Sequence, residues 1–119
     1  MIINREQLSA FYPDAVAEFA ARLTLLLLEQ FEAARQQSYQ ELHIDIQQLI
    51  PHAVSYGLTS ERDAAAYVIT AFVLGEDFVE AFPAAQQVLT SPVLVGADKA
   101  QWLKEWTTAL FQTMERKEE

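Results

Sequence analysis

His43 and His52 are the only two histidines in the chain, nine residues apart on an apolar-patterned segment that carries Pro51 between them. A tightly held divalent metal needs three or four converging ligands. His43 has Glu41 and Asp45 as neighbours, but no HExxH or other paired-ligand spacing accompanies them. Histidines at the surface or the edge of a core account better for both, and no metal-binding residue is assigned. The carboxylates of interest fall into two groups, Glu61 with Asp63, and Glu76, Asp77 and Glu80. Two acids hydrolyse a glycoside when they flank a cleft and one of them is desolvated. Each group here falls at a predicted helix start or in a solvated turn, where capping and the helix dipole already favour an acid. Nothing nearby in the sequence supplies the apolar pocket that raises a carboxyl pKa. Nucleophilic serine chemistry needs a base and an orienting acid, and no strand-to-helix serine elbow is present. With three glycines in all, there is no glycine-rich phosphate loop. No catalytic residue and no cofactor is assigned, and the expectation is a protein that is not an enzyme.

The charge balance narrows the partners. Seventeen acidic residues against eight basic ones give a net charge of −9, with the acids spread along the chain. Nucleic-acid binding needs a basic stripe that displaces phosphate counterions. The densest basic stretch, Arg116 and Lys117, is flanked by Glu115, Glu118 and Glu119. Nucleic acid and anionic membrane surfaces are therefore not expected partners. The absence of cysteine excludes disulfides, thiol catalysis and the most specific class of structural zinc site. The opening MIINREQLSAFYPD lacks the basic-then-apolar pattern of a secretory signal. The apolar run Leu23 to Leu28 is bracketed too closely by Glu18, Arg22 and Glu29 for a membrane span of about 20 residues. A cytoplasmic protein is expected.

The elements that carry these residues read as helices throughout. Hydrophobic residues form 51% of the 119 and charged residues 21%, the balance of a chain that folds around its own core. Asn4 is placed to cap a short helix ending at Phe11, and Pro13 suits the first turn of the next one, where its missing N–H costs nothing. From there Val16, Phe19, Ala20, Leu23, Leu26, Leu27 and Phe31 recur at helical spacing. A third segment over about 38–56 has Leu42, Ile46, Leu49, Ile50, Ala53 and Val54 as its stripe, with a kink or restart expected at Pro51. Gly57 fits a left-handed helix stop, and Thr59 or Ser60 caps the helix that follows. That helix, about 60–74, contains AAAYVITAFVL from Ala64 to Leu74 and is apolar on nearly every side, which places it at the centre of the fold. Gly75 ends it, Phe78 and Phe82 fall in a short turn, and Pro83 opens a short helix through Leu89. Ser91, Pro92 and Gly96 mark a connection to a last helix from about Asp98 to Met114, with residues 115–119 a frayed acidic tail. No alternating strand pattern, linker or repeat is found. The expectation is an all-α, compact single domain over residues 1–119, a bundle of five to six helices.

Trp102 and Trp106 lie one turn apart on the last helix, with Leu110 a turn further. Packing into the core is the weightier account of both tryptophans. That helix is nevertheless apolar over more than half its girth, and interfaces favour tryptophan, so Trp102, Trp106 and Leu110 are the candidate protein interface.

At the middle of the chain stand Tyr56, Gly57, Leu58 and Thr59, then Glu61 and Asp63, Tyr67 and Phe72, and Gly75, Asp77 and Phe78. This run resembles small helical accessory proteins encoded in bacterial type VI secretion gene clusters, beside spike, PAAR and toxin-effector genes. It covers roughly the central quarter of the chain. The resemblance implies an adaptor or chaperone-like role, with a secreted effector, a spike protein or an effector-loading factor as partner, and it lends no catalytic residues. Two other readings stand beside it. One is an immunity protein that neutralises a cognate toxin, for which an acidic surface suits a basic target. The other is a helical homodimer joined through the last helix.

Overall fold

The computed structural model describes residues 13–118, and these form six α-helices and one 3-10 turn with no β-strand among them. The expected helix ending at Phe11 and its Asn4 cap lie outside the described residues. Helix α1 runs Pro13–Gln30 and begins on its proline, as the missing N–H allows. It buries Phe19, Ala20, Leu23 and Leu27, together with Thr24, whose hydroxyl donates to the Ala20 carbonyl at 2.7 Å. Leu26, expected on that buried face, is instead 40% exposed. It stands one residue, about 100° of rotation, from Leu27, and among the described residues the neighbouring helices leave it partly uncovered. The α1 C-terminus is closed by Arg35 of the 3-10 turn Glu32–Gln36, which donates to the carbonyls of Leu28 at 2.8 Å and Glu29 at 3.0 Å. A cation at that end meets the negative pole of the helix dipole.

Helix α2, Tyr39–Ser55, is capped by Ser38, whose hydroxyl accepts from the Glu41 N–H at 3.1 Å. It is one unbroken helix through Pro51, so the expected restart does not occur. Pro51 is exposed and Gln47, whose carbonyl loses its partner, is half-buried, so the orphaned oxygen lies on the outer side of the helix. Leu42, Ile46, Leu49, Ile50 and Ala53 face inward. Gly57, at φ +88°, then stops α2. Its N–H reaches Val54 at 2.9 Å and that of Leu58 reaches Ala53 at 3.0 Å, the paired bonds of a Schellman stop, with Leu58 and Ala53 both fully buried.

Helix α3, Glu61–Leu74, is the predicted central helix. Ser60 caps it by accepting from the Asp63 N–H at 3.1 Å, and Gly75 closes it at φ +106°. It contacts α1, α2, α4 and α6, with α6 its main partner. Ala64, Ala66, Val68 and Ala71 are buried on it, small enough for close approach. The Thr70 hydroxyl donates back to Ala66 at 2.7 Å and lies 3.4 Å from Thr107 of α6. Two short helices, α4 Phe78–Ala81 and α5 Pro83–Leu89, carry the chain back to the start of α6. Helix α6 spans Gly96–Glu118, longer at both ends than Asp98 to Met114. Its extension past Met114 fits the helix propensity of the residues that follow, Glu115, Arg116, Lys117 and Glu118. No described helix is long and apolar enough to cross a membrane.

Candidate functional site

The unbroken α2 decides the relation of the two histidines. Nine residues along one helix turn through about 900°, so His43 and His52 point in opposite directions, about 14 Å apart along the axis. His43 faces α1, with Nε2 3.3 Å from the Ala17 carbonyl and its ring stacked on Tyr39 at 5.6 Å. His52 is exposed near the end of α2. Among the described residues no three His, Asp or Glu side chains are grouped to hold a metal ion. The acids are likewise dispersed. Glu61 forms an ion pair with Arg22 of α1, whose guanidinium also lies over the Phe19 ring at 5.6 Å. Asp63 occupies the first turn of α3, beside Gly96 of α6. Glu76, Asp77 and Glu80 are exposed around Gly75 and α4.

The aromatic residues are brought together. Tyr56 packs on Tyr67 at 5.9 Å, Tyr67 on Phe78 at 5.2 Å, and Phe78 on Trp106 at 6.5 Å between ring centres. Trp106 meets Phe82 edge-on at 5.2 Å and stacks on Trp102 at 5.0 Å with 21° between planes. The inner end of this run, at Phe78 and Tyr67, is sealed in the core, while both tryptophans are half-buried. Trp102 ends the run at the surface. Leu110 follows on the same stripe of α6, half-buried, and Phe111 beside it is 41% exposed. Ahead of α6, Val93, Leu94 and Val95 form an exposed apolar loop, held by the Ser91 hydroxyl, which accepts from the N–H groups of Val93 at 3.2 Å and Leu94 at 3.3 Å. Comparison with family models, curated proteins and solved structures gives no match to this chain.

Burial raises the Tyr67 hydroxyl to about 12, with the neighbouring Tyr56, Glu80 and Glu76 adding to the effect. A phenol in such a setting stays protonated and is a poor base.

Lys99 is the functional-looking residue that the sequence reading passed over. It is 6% exposed, and its Nζ donates to the Tyr56 carbonyl at 2.8 Å and to the Leu89 carbonyl at 2.8 Å. Those oxygens end α2 and α5, so one amine ties two helix C-termini to the first turn of α6. Its partners explain its burial, and its place is structural. The signal for it was a local conflict, because a lysine in the first turn of a helix opposes the positive pole there. Such a residue is expected to answer to something outside its own helix.

Proposed function

We propose that this chain is a non-enzymatic protein-binding module of the bacterial cytoplasm, an adaptor or chaperone-like accessory protein for a type VI secretion effector or its loading factor. The secretion assignment rests on the resemblance carried by the Tyr56 to Phe78 run. The binding role rests on α6, where the stacked Trp102 and Trp106 continue through Leu110 to the exposed Phe111. Large aromatic side chains that are rigidly held and only half covered are the usual anchors of protein interfaces. A partner that covers them gains their remaining apolar area without having to order them first.

Affinity purification of the tagged protein from its native host at low salt, followed by mass spectrometry, tests this reading. Near-stoichiometric recovery of an effector, a spike protein or a loading factor, lost on Phe111→Glu, supports it. Recovery of the chain alone, dimeric by light scattering, replaces it with the homodimer.

A further inference from the structure

On the other side of α3 from its Thr70–Thr107 contact with α6, the ends of α1 and α3, the 3-10 turn and the middle of α2 enclose a cleft of about 390 Å³. Its floor is apolar, formed by Leu42, Ile46, Val68 and Phe72, while Asp45 and Glu76 stand on its edge. Two of the positions that line it are small. Gly75 has no side chain and Ala33 only a methyl group. Phe72 on the floor lies edge-on against Phe31, with ring centres 5.5 Å apart. The nearest cation in sequence, Arg35, is committed to the Leu28 and Glu29 carbonyls, and no basic residue lines the cleft among the described residues.

We propose that this cleft docks a partner segment presenting one large aliphatic or phenyl side chain beside a lysine or arginine. The volume falls at the lower end of the range for small-ligand pockets, about 300–1,000 Å³, which is room for a large side chain together with its flanking residues and not for a whole helix. The two carboxylates select the flanking charge, since an uncharged rim would leave the approach unsteered and an acidic segment would be repelled. The surface differs from the α6 stripe, and its assignment rests on the protein-binding reading above.

The test uses a capped pentapeptide, alanine-lysine-leucine-lysine-alanine, titrated into the full chain and followed by amide chemical shifts. Saturable shifts are expected at Leu42, Ile46, Val68 and Phe72. Replacing the leucine of the peptide by alanine should weaken binding at least about tenfold, and replacing its lysines by glutamate should abolish it. Ala33→Trp, an exposed substitution on the rim, should block the cleft and remove the shifts while α6 is unaffected. Shifts that do not saturate, or that persist with the leucine-free or glutamate peptides, overturn the proposal. Recovery of an effector or loading factor equally well by Ala33→Trp and by the unmodified chain overturns the cleft alone and leaves the binding module standing.

Discussion

The Lys99 ammonium donates a 2.8 Å hydrogen bond to the Tyr56 carbonyl, across forty-three residues of sequence. Tyr56 is the last residue before the Gly57 stop of α2, so its carbonyl is one that the helix itself leaves unpaired. The Leu89 carbonyl, at the end of α5, takes a second bond from the same nitrogen. The ends of α2 and α5 and the first turn of α6 are thus tied at one point.

Lys99→Met keeps much of the stem and removes the donor, leaving two carbonyls without their partner in a site from which water is largely excluded. The expected loss is about 2–4 kcal/mol in urea unfolding, since hydrogen bonds to a charged group are worth more than neutral ones. A loss below about 0.5 kcal/mol, the level of an ordinary surface change, would mean that water takes over both carbonyls.

Gly96 and Gly57 make a second junction at the same end of the bundle. A Cβ placed on Gly96 would lie 2.3 Å from the Gly57 carbonyl oxygen, a backbone atom that has no rotamer by which to yield. Gly96→Ala should therefore displace the start of α6 and cost about 1–3 kcal/mol. Gly57→Ala acts differently, through its φ of +88°, and should cost about 1–2 kcal/mol with α6 in place. Amide shifts of Ala97 and Lys99 separate the two: they move strongly in the Gly96 variant only.

Much of this was legible in the sequence where the signal is local. Pro13 and Pro83 open helices, Gly57 and Gly75 close them, and Ser60 caps α3. The apolar run after it forms the central helix because no face of it offers a polar alternative. What failed was decided by neighbours. Leu26 is exposed because the described helices beside α1 leave that side uncovered. Pro51 leaves α2 unbroken, its lost bond lying on the outer side of the helix. Gly96 read as part of a connection, whereas its missing side chain lets the first turn of α6 rest on Gly57. The candidate chemistry behaved likewise. The positions of the acids and histidines along their helices could be read, but the line of rings from Tyr56 to Trp102 joins residues from four segments, and no local spacing announces it.

Ser60→Ala removes the hydroxyl that accepts from the Asp63 N–H, with an expected cost of about 1 kcal/mol. Thr59, one residue earlier, is exposed, and Thr59→Ala should stay within about 0.5 kcal/mol of the unmodified protein. Thermal unfolding of the two variants checks the assignment. Equal losses would show that the cap is shared between the two hydroxyls.

Stability should fall at alkaline pH through Tyr67. Its hydroxyl titrates near 12 in the folded protein and near 10 when unfolded. Below 10 both states hold the proton and the residue contributes no pH dependence. Between about 10 and 12 the unfolded state releases it and the folded state does not, so the unfolded state binds fewer protons and stability falls as pH rises. The expected decline across that window is about 2–3 kcal/mol. Tyr67→Phe should remove this part of the slope, and an unchanged slope in that variant would assign the alkaline loss to other groups.

The two tryptophans should separate core from interface. Trp106 touches Phe78, Phe82 and Trp102, so Trp106→Ala opens a hole against the core and should cost about 2–4 kcal/mol. Trp102 stacks on Trp106 from the surface side, and Trp102→Ala should cost less than half as much. Both variants should lose the near-ultraviolet circular dichroism of the stacked pair, which reports the geometry independently of stability. If α6 is the docking surface, Trp102→Ala loses its partner while remaining folded, because a residue at the outer end of the run contributes more to what covers it than to what lies beneath. Full retention of a co-purified partner by folded Trp102→Ala would instead place both tryptophans on the side of packing, and the docking surface elsewhere.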